Sequence, residues 1–130
     1  MRNVAEAENF AKFYLKVVYG DAGNIVYDEL RLRHHVEEHF LGYADSQESV
    51  EKKEKRFRNW WSDFKARKVG SLQPETKSEP GSRYEVVMKI LEMTVGLKPE
   101  LWQWSLQIRS DGMTQLLSKE LVVPAPTMRD

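Results

Sequence analysis

The spacing of the apolar residues changes about two-thirds of the way along this chain. Up to about Phe64 they recur every three or four residues, which is typical of amphipathic helices. From Tyr84 onward they alternate with polar residues, as in a strand with one buried and one solvated face. The pattern predicts an α+β fold, with three N-terminal helices packed on an antiparallel sheet of three to four strands.

Three helices are predicted before the change of period. The first spans residues 4–19, the second about 25–41, and the third begins at Asp45, where Asp45 and Glu48 have capping-box spacing. The predicted inward stripe of the first helix consists of Ala7, Phe10, Ala11, Tyr14, Val17 and Val18. The predicted stripe of the third consists of Val50, Phe57, Trp61 and Phe64.

Three strands are predicted after it, at about residues 84–95, 101–110 and 113–123. Asp111-Gly112 predicts a two-residue hairpin turn in which both residues have positive φ. Residues 69–82 contain glycine and proline breaks, so they predict either a long loop or a loop with an edge strand near residues 65–72.

The composition agrees with one compact domain over residues 1–130. Apolar residues make up 41% of the chain, which is enough for a core at this length. There is no cysteine, so disulfides and thiolate chemistry are excluded. No apolar run is long enough to predict a membrane-spanning segment or a signal-peptide core.

The charge is balanced overall but concentrated in one block. Residues 52–68 carry eight basic and two acidic side chains, whereas residues 1–51 carry five and ten. In this basic helix the cations alternate with aromatic residues, and Lys52, Lys53, Arg56 and an exposed Trp60 are the predicted partner-binding residues. Nucleic-acid binding through the same helix is an alternative, because cations neutralise phosphates and aromatic rings stack on bases. An ordinary solvated helix face is the other interpretation.

His35, Glu38 and His39 fit the H-x-x-E-H pattern of zinc hydrolases. Two histidines four residues apart share a helix face, so both can ligate one metal ion. The pattern fixes only three positions and no third ligand is evident, so we favour a solvated helix face and expect no metal or other cofactor.

Trp102 and Trp104 occupy alternate positions and so share one face of the sheet. They are predicted to cover the core beneath the helices, and the alternative is that they line a ligand pocket.

The opening helix (residues 7–15) and the central strands (residues 83–90 and 101–108) resemble the nuclear-transport-factor-2-like superfamily. Within it the chain is most similar to the VirB8-like domains of conjugative type IV secretion systems, which also end in strands that run into a proline, as residues 121–124 do here. The resemblance implies a cone-like arrangement, with the three helices in the concavity of a strongly bent sheet. Those domains follow a membrane helix, and no such helix is predicted within residues 1–130.

The resemblance also implies a function. VirB8-like domains assemble and scaffold, so we expect a non-catalytic protein-interaction module with protein partners, a homo-oligomer among them, and at most weak binding of nucleic acid. A small-molecule-binding or hydrolytic domain is the opposing hypothesis. We expect the chain at the cell envelope if it is VirB8-like, and in the cytoplasm if it is not.

Overall fold

A computed structural model describes residues 3–19, 23–41, 49–94 and 98–124. The elements in chain order are α1 (Val4–Tyr19), β1 (Gly23–Val26), α2 (Glu29–Leu41), α3 (Val50–Ala66), β2 (Glu75–Glu79), β3 (Arg83–Thr94), β4 (Lys98–Arg109) and β5 (Thr114–Val123). The predicted α+β class and the first helix are confirmed. The ends of the three long strands lie within three residues of their predicted positions.

Each helix begins at a short polar residue that caps its first turn. The side chains of Asn3, Asp28 and Ser49 accept hydrogen bonds from backbone N–H groups three residues further on. These bonds satisfy donors that have no partner inside the helix. The predicted Asp45–Glu48 capping box lies outside the described residues, and α3 as described follows Ser49.

The second helix begins four residues later than the sequence predicts. Ile25 and Val26 are not helical, because they pair with Ile90 and Lys89 of β3 as part of the short strand β1. Asp28 then caps α2. Leu32 and Val36, four residues apart in α2, are fully buried.

The five strands form one antiparallel, curved sheet that does not close. β3 is central: it pairs with β4 along one side, and with both β1 and β2 along the other. β5 pairs with β4 and lies at the end of the strand order. The alternative prediction of an edge strand near residues 65–72 is wrong, because the strand that precedes β3 is β2, at residues 75–79.

The helices lie on opposite faces of this sheet. α1 packs on one face, in a core that includes Ile90 and Trp104, whereas α2 and α3 belong to a second core that includes Leu91 and Leu101. Neighbouring residues of a strand point to opposite faces of the sheet. Ile90 belongs to the core under α1 and Leu91 to the core under α2 and α3, so the two cores lie on opposite faces. This differs from the expectation that all three helices occupy one concavity.

The alternation predicted for β4 is present, but its polar face is less exposed than expected. Trp104, Leu106 and Ile108 are buried on the α1 side. On the opposite face Ser105 is also buried, and Gln103 is half-buried. The polar face is therefore not a simple solvated surface.

The turn between β4 and β5 has three residues and not two. Gly112 donates to the carbonyl of Arg109 at 2.8 Å, and Arg109 donates to the carbonyl of Met113 at 2.9 Å. Gly112 has a φ of 88°, whereas Asp111 is not among the residues of positive φ. A tight turn followed by one left-handed glycine is the usual form of a three-residue hairpin loop. The prediction of positive φ at both residues is wrong for Asp111.

Candidate functional site

The outer side of α1 exposes large apolar side chains that the sheet does not cover. Ala7, Ala11 and Leu15 face the sheet and are buried. The residues turned away from them include Phe13 and Val17, which are 66% and 64% exposed. We call Phe10, Phe13 and Val17 the α1 flank. Exposed apolar patches of this kind mark contact sites for proteins or ligands.

A groove of about 260 Å³ runs beside the α1 flank, between α1 and the β4–β5 turn. Its lining is almost entirely apolar and consists of Phe10, Phe13, Tyr14, Val17, Val18, Gly112 and Thr114. Gly112 forms its floor under the ring of Phe10. With no charged group in the lining, the groove suits an apolar side chain better than a polar small molecule.

The predicted inward stripe of α1 is only half right. Ala7 and Ala11 are buried, but Phe10, Val17 and Val18 are exposed, and Leu15 is buried in their place. Two small alanines allow the helix to lie close to the sheet, so the rotation that buries them turns the bulky residues outward. The signal in the sequence was that positions 10 and 17 of this predicted stripe also form a second stripe with position 13, on the side turned away from Ala7 and Ala11.

Of the four predicted partner-binding residues of α3, three reach the surface and Trp60 does not. Lys52 is exposed, and Lys53 and Arg56 are half-buried. Trp60, in contrast, is 2% exposed, and its indole N–H donates to the carbonyl of Pro99 at 3.1 Å. The expectation of an exposed Trp60 is wrong, because its ring stacks on Phe64 inside the core.

Trp61, the neighbouring tryptophan, is the one that reaches the surface of α3. It is half-buried, and the cationic groups of Arg33 and Lys65 lie 5.8 and 5.5 Å from its ring centroid. These distances allow cation–π attraction. Basic and aromatic residues are therefore in contact at Trp61, where Arg33 of α2 supplies one of the two cations.

Trp102 and Trp104 do not line the groove beside α1. Trp104 is fully buried in the α1-side core, and the half-buried Trp102 packs against the same core. The ammonium of Lys119 lies 4.4 Å from the ring centroid of Trp102 and 5.0 Å from that of Trp104, and it forms an ion pair with Glu92 at 3.0 Å. This cluster fits the predicted covering of the core.

The three histidines of α2 differ in exposure, and His35 is half-buried. His34 is exposed and lies 3.5 Å from Glu38. His39 is buried with its ring edge-on to Phe40, and burial lowers the pKa of His39 because the charged imidazolium is poorly solvated there. In the part of the chain that the structure describes, no three His, Asp or Glu side chains are grouped as metal ligands.

Lys89 is the other buried ionisable group among the residues that the structure describes. It is 7% exposed and lies on the same face of the sheet as Leu91, opposite Val26 on one side and Gln103 on the other. Burial lowers the pKa of Lys89, and the negative charge of Glu75 partly offsets the effect. A single lysine does not define a binding site.

None of the helices described here combines the length and the apolar character needed to span a bilayer. Comparisons with protein-family models, with curated proteins and with solved structures found no match.

Proposed function

We propose that this chain is a non-catalytic protein-interaction module that binds a protein partner through the α1 flank. The observation that carries the proposal is the exposure of Phe13 and Val17 beside an apolar groove. Both residues belong to a well-formed helix, so they form a rigid apolar surface. Recognition through a helix face uses apolar residues spaced three and four apart, as on this flank.

The edge of the sheet is less suited to the same role. β5 has two irregularities in its pairing with β4, and its exposed residues include Lys119 and Glu120. Bulges and charges are the usual means by which edge strands avoid adding a further strand. The helix flank, rather than the sheet edge, is therefore the proposed contact.

We also propose, from the resemblance in the opening helix and the central strands, that the partner belongs to an assembly of the VirB8 type in a conjugative transfer apparatus. The α+β class and the order of helices before long strands support this. The position of α1 on the face opposite α2 and α3 departs from the cone-like arrangement that the resemblance implies.

A photo-crosslinking residue at position 13 tests the proposed contact in cells that make the protein. We expect an adduct with a protein that mass spectrometry identifies, and no such adduct from the same residue at position 59, which is exposed on α3. The purified partner should then bind Phe13→Lys at least tenfold more weakly than the unchanged chain, since a buried lysine at the centre of an apolar contact is costly. Equal adducts from both positions, or from neither, would contradict the proposal.

A further inference from the structure

We propose that Lys12, Tyr27 and Arg31 form a binding site for a phosphate group, either free phosphate or the phosphate of a small phosphorylated ligand. We call these three residues the Tyr27 cluster. They belong to α1, to the link between β1 and α2, and to α2. The cluster is separate from the α1 flank, so the inference does not depend on the proposed protein contact.

The Tyr27 cluster lies at the edge of the sheet away from the α1 flank. The flank contacts the β4–β5 turn. On the other side of α1, Glu8 accepts a hydrogen bond from the hydroxyl of Thr76 in β2 at 3.1 Å. Lys12 follows Glu8 by one helical turn and so lies on that same side. Tyr27 comes directly after β1, and β1 and β2 share this edge of β3.

Two cations from different helices contact the ring of Tyr27. The ammonium of Lys12 lies 5.1 Å from the ring centroid, and the guanidinium carbon of Arg31 lies 5.9 Å from it. α1 and α2 pack on opposite faces of the sheet, so the two cations reach the ring from both sides of its edge. Both positive charges are therefore within reach of one small ligand that lies beside the ring.

These two cations differ from the others that contact aromatic rings in the described part of the chain. Each of those others also forms an ion pair: Arg33 with Glu37, Lys65 with Glu29, and Lys119 with Glu92. Lys12 and Arg31 form no ion pair with any residue that the structure describes. Their contact with Tyr27 therefore leaves two positive charges without a neutralising carboxylate.

The acidic residues that adjoin the cluster along the chain are bound to other groups. The carboxylate of Asp28 accepts from the backbone N–H of Arg31 at 2.7 Å and so caps α2. Glu29 forms its ion pair with Lys65 at 2.6 Å. Glu8 is bonded to Thr76, as described above. The two cations of the cluster are therefore available to an anion from solution.

The donors of the cluster suit a phosphate group. Arg31 offers paired N–H donors in a plane, and Lys12 offers a charged group on a flexible stem. The hydroxyl of Tyr27 makes no hydrogen bond to the described residues and can supply a third donor. Donors from three segments match the separate oxygens of a tetrahedral dianion better than the two oxygens of a carboxylate. Lys12 and Tyr27 are half-buried, which reduces the screening of this attraction by salt.

A titration of the ¹⁵N-labelled full chain with inorganic phosphate, followed by two-dimensional NMR, tests the proposal. The starting buffer contains no phosphate, and sodium chloride keeps the ionic strength constant. We expect saturable shifts at the amides of Lys12, Tyr27 and Arg31. Absence of a saturable shift at these amides with any phosphate compound would overturn the inference.

Two further titrations identify the chemistry of the ligand. Saturation of the same amides by glycerol phosphate would assign the site to phosphorylated ligands, and saturation by inorganic phosphate alone would assign it to free phosphate. Acetate should bind much more weakly than either compound, because it has one charge and two oxygens. Equal saturation by acetate would contradict the assignment to phosphate.

Substitutions in the cluster test the role of each residue. Lys12→Gln and Arg31→Gln should each weaken phosphate binding about tenfold, because each removes one charged donor. Tyr27→Phe keeps the ring that both cations contact and removes only the hydroxyl. We expect it to weaken binding about threefold and to leave the melting temperature unchanged. Unaltered binding in all three variants would mean that the cations only cover the ring, and would overturn the inference.

Lys55→Gln and Arg58→Gln on α3 are the matched controls, because they remove the same two kinds of charge at exposed positions. Both should bind phosphate as the unchanged chain does. Circular dichroism confirms that each variant is folded. Equal weakening by the controls, or shifts spread over the basic block at residues 52–68, would indicate a general attraction of anions and would contradict a site at Tyr27.

Discussion

Gly112 lies directly against the ring of Phe10, so that a Cβ atom added to it would be 3.0 Å from Cε1 of that ring. Gly112 also has a φ of 88°, a conformation that side chains other than glycine rarely adopt. The contact joins the β4–β5 turn to α1 and fixes the floor of the groove. Position 112 therefore favours glycine for two separate reasons: its positive φ and the lack of space for a Cβ atom against Phe10.

The first prediction separates these two requirements. Gly70 has almost the same φ, 87°, but no atom within 4 Å of an added Cβ. Gly70→Ala should therefore cost only the left-handed conformation, about 1 kcal/mol in the free energy of unfolding, and Gly112→Ala should cost about 1–3 kcal/mol. Urea denaturation measures both. Equal costs would mean that Phe10 moves aside without penalty and that the contact does not hold the turn.

The second prediction concerns the hydrogen bond from Trp60 to the carbonyl of Pro99, 3.1 Å long and buried. Trp60→Phe retains an aromatic ring beside Phe64 but leaves that carbonyl without this donor. We expect a loss of about 1–3 kcal/mol in unfolding free energy, since a buried group deprived of its partner incurs its desolvation penalty.

Trp61→Phe on the same helix is the control for this prediction. Trp61 is half-buried and makes no side-chain hydrogen bond to the described residues, so the same change of side chain removes no such bond. It should cost less than Trp60→Phe. The reverse order in thermal or chemical denaturation would show that the bond to Pro99 contributes little to stability.

The two tryptophans also show what the sequence did not decide. From Phe57, both position 60 and position 61 lie on the same side of a helix, and the predicted stripe included Trp61 and left Trp60 exposed. The choice depends on a contact with a carbonyl 39 residues away in the chain. Of the predicted stripe of α3 only Phe57 and Phe64 are buried, since Val50 is 65% exposed and Trp61 is half-buried. The tertiary contact determines that the ring of Trp60 is buried.

The strands show the same limit. The long strands β3, β4 and β5 were predictable because their alternation persists over ten or more residues. β2 has the sequence Glu-Thr-Lys-Ser-Glu, without an apolar residue, and β1 has only four residues. Both become strands by pairing with β3, and the residues within each short segment do not predict that pairing.

The α1 flank was missed for a related reason. α1 carries two neighbouring apolar stripes, and the sequence does not say which one faces the sheet. The structure buries the stripe with small residues, Ala7 and Ala11, because it allows closer packing. The larger residues, Phe13 and Val17, are left for a partner.

The third prediction is that His39 makes stability depend on pH. Burial lowers the folded-state pKa of His39 below its ordinary value of 6.5, so the unfolded chain binds a proton more readily. This contribution to stability is fully present above about pH 6.5 and is lost as the pH falls through the folded-state pKa. Thermal unfolding at neutral and mildly acidic pH measures the loss.

His39→Gln should reduce this difference in melting temperature between the two pH values. His34→Gln, at an exposed position on the same helix, is the control and should leave the difference unchanged. A pH dependence that is identical in both variants would assign the effect to groups other than His39.

The fourth prediction is that Lys89 lowers stability at neutral pH. Its ammonium is charged there while the side chain is 7% exposed, and burial lowers its pKa because the charge is desolvated. Lys89→Met keeps a long side chain and removes the charge, so we expect a higher melting temperature, partly offset by the lost attraction to Glu75. Lys77→Met on β2, an exposed position, should have little effect.

The pH dependence gives an independent check on Lys89. Because its folded-state pKa is depressed, the destabilising charge is removed as the pH rises through that value toward 10.5. The advantage of Lys89→Met should therefore shrink in alkaline solution. An advantage that stays constant up to that range would show that packing, rather than charge, accounts for it.

The fifth prediction concerns the basic block of α3. Residues 52–68 carry eight basic and two acidic side chains, which creates a local positive field that can attract an acidic surface. Reversal of Lys52, Lys53 and Arg56 to Glu should weaken binding of an acidic protein partner in a salt-dependent way. Phosphate backbones should bind only at the roughly micromolar level of non-specific contacts.

Fluorescence anisotropy with labelled single- and double-stranded DNA and RNA at near-physiological salt tests the nucleic-acid part. The burial of Trp60 supports weak binding, because that ring is not accessible for stacking on a base. Nanomolar binding that the triple reversal abolishes would instead make α3 a nucleic-acid site. In that case the protein partner proposed for α1 would be joined by a second class of ligand on the opposite face of the sheet.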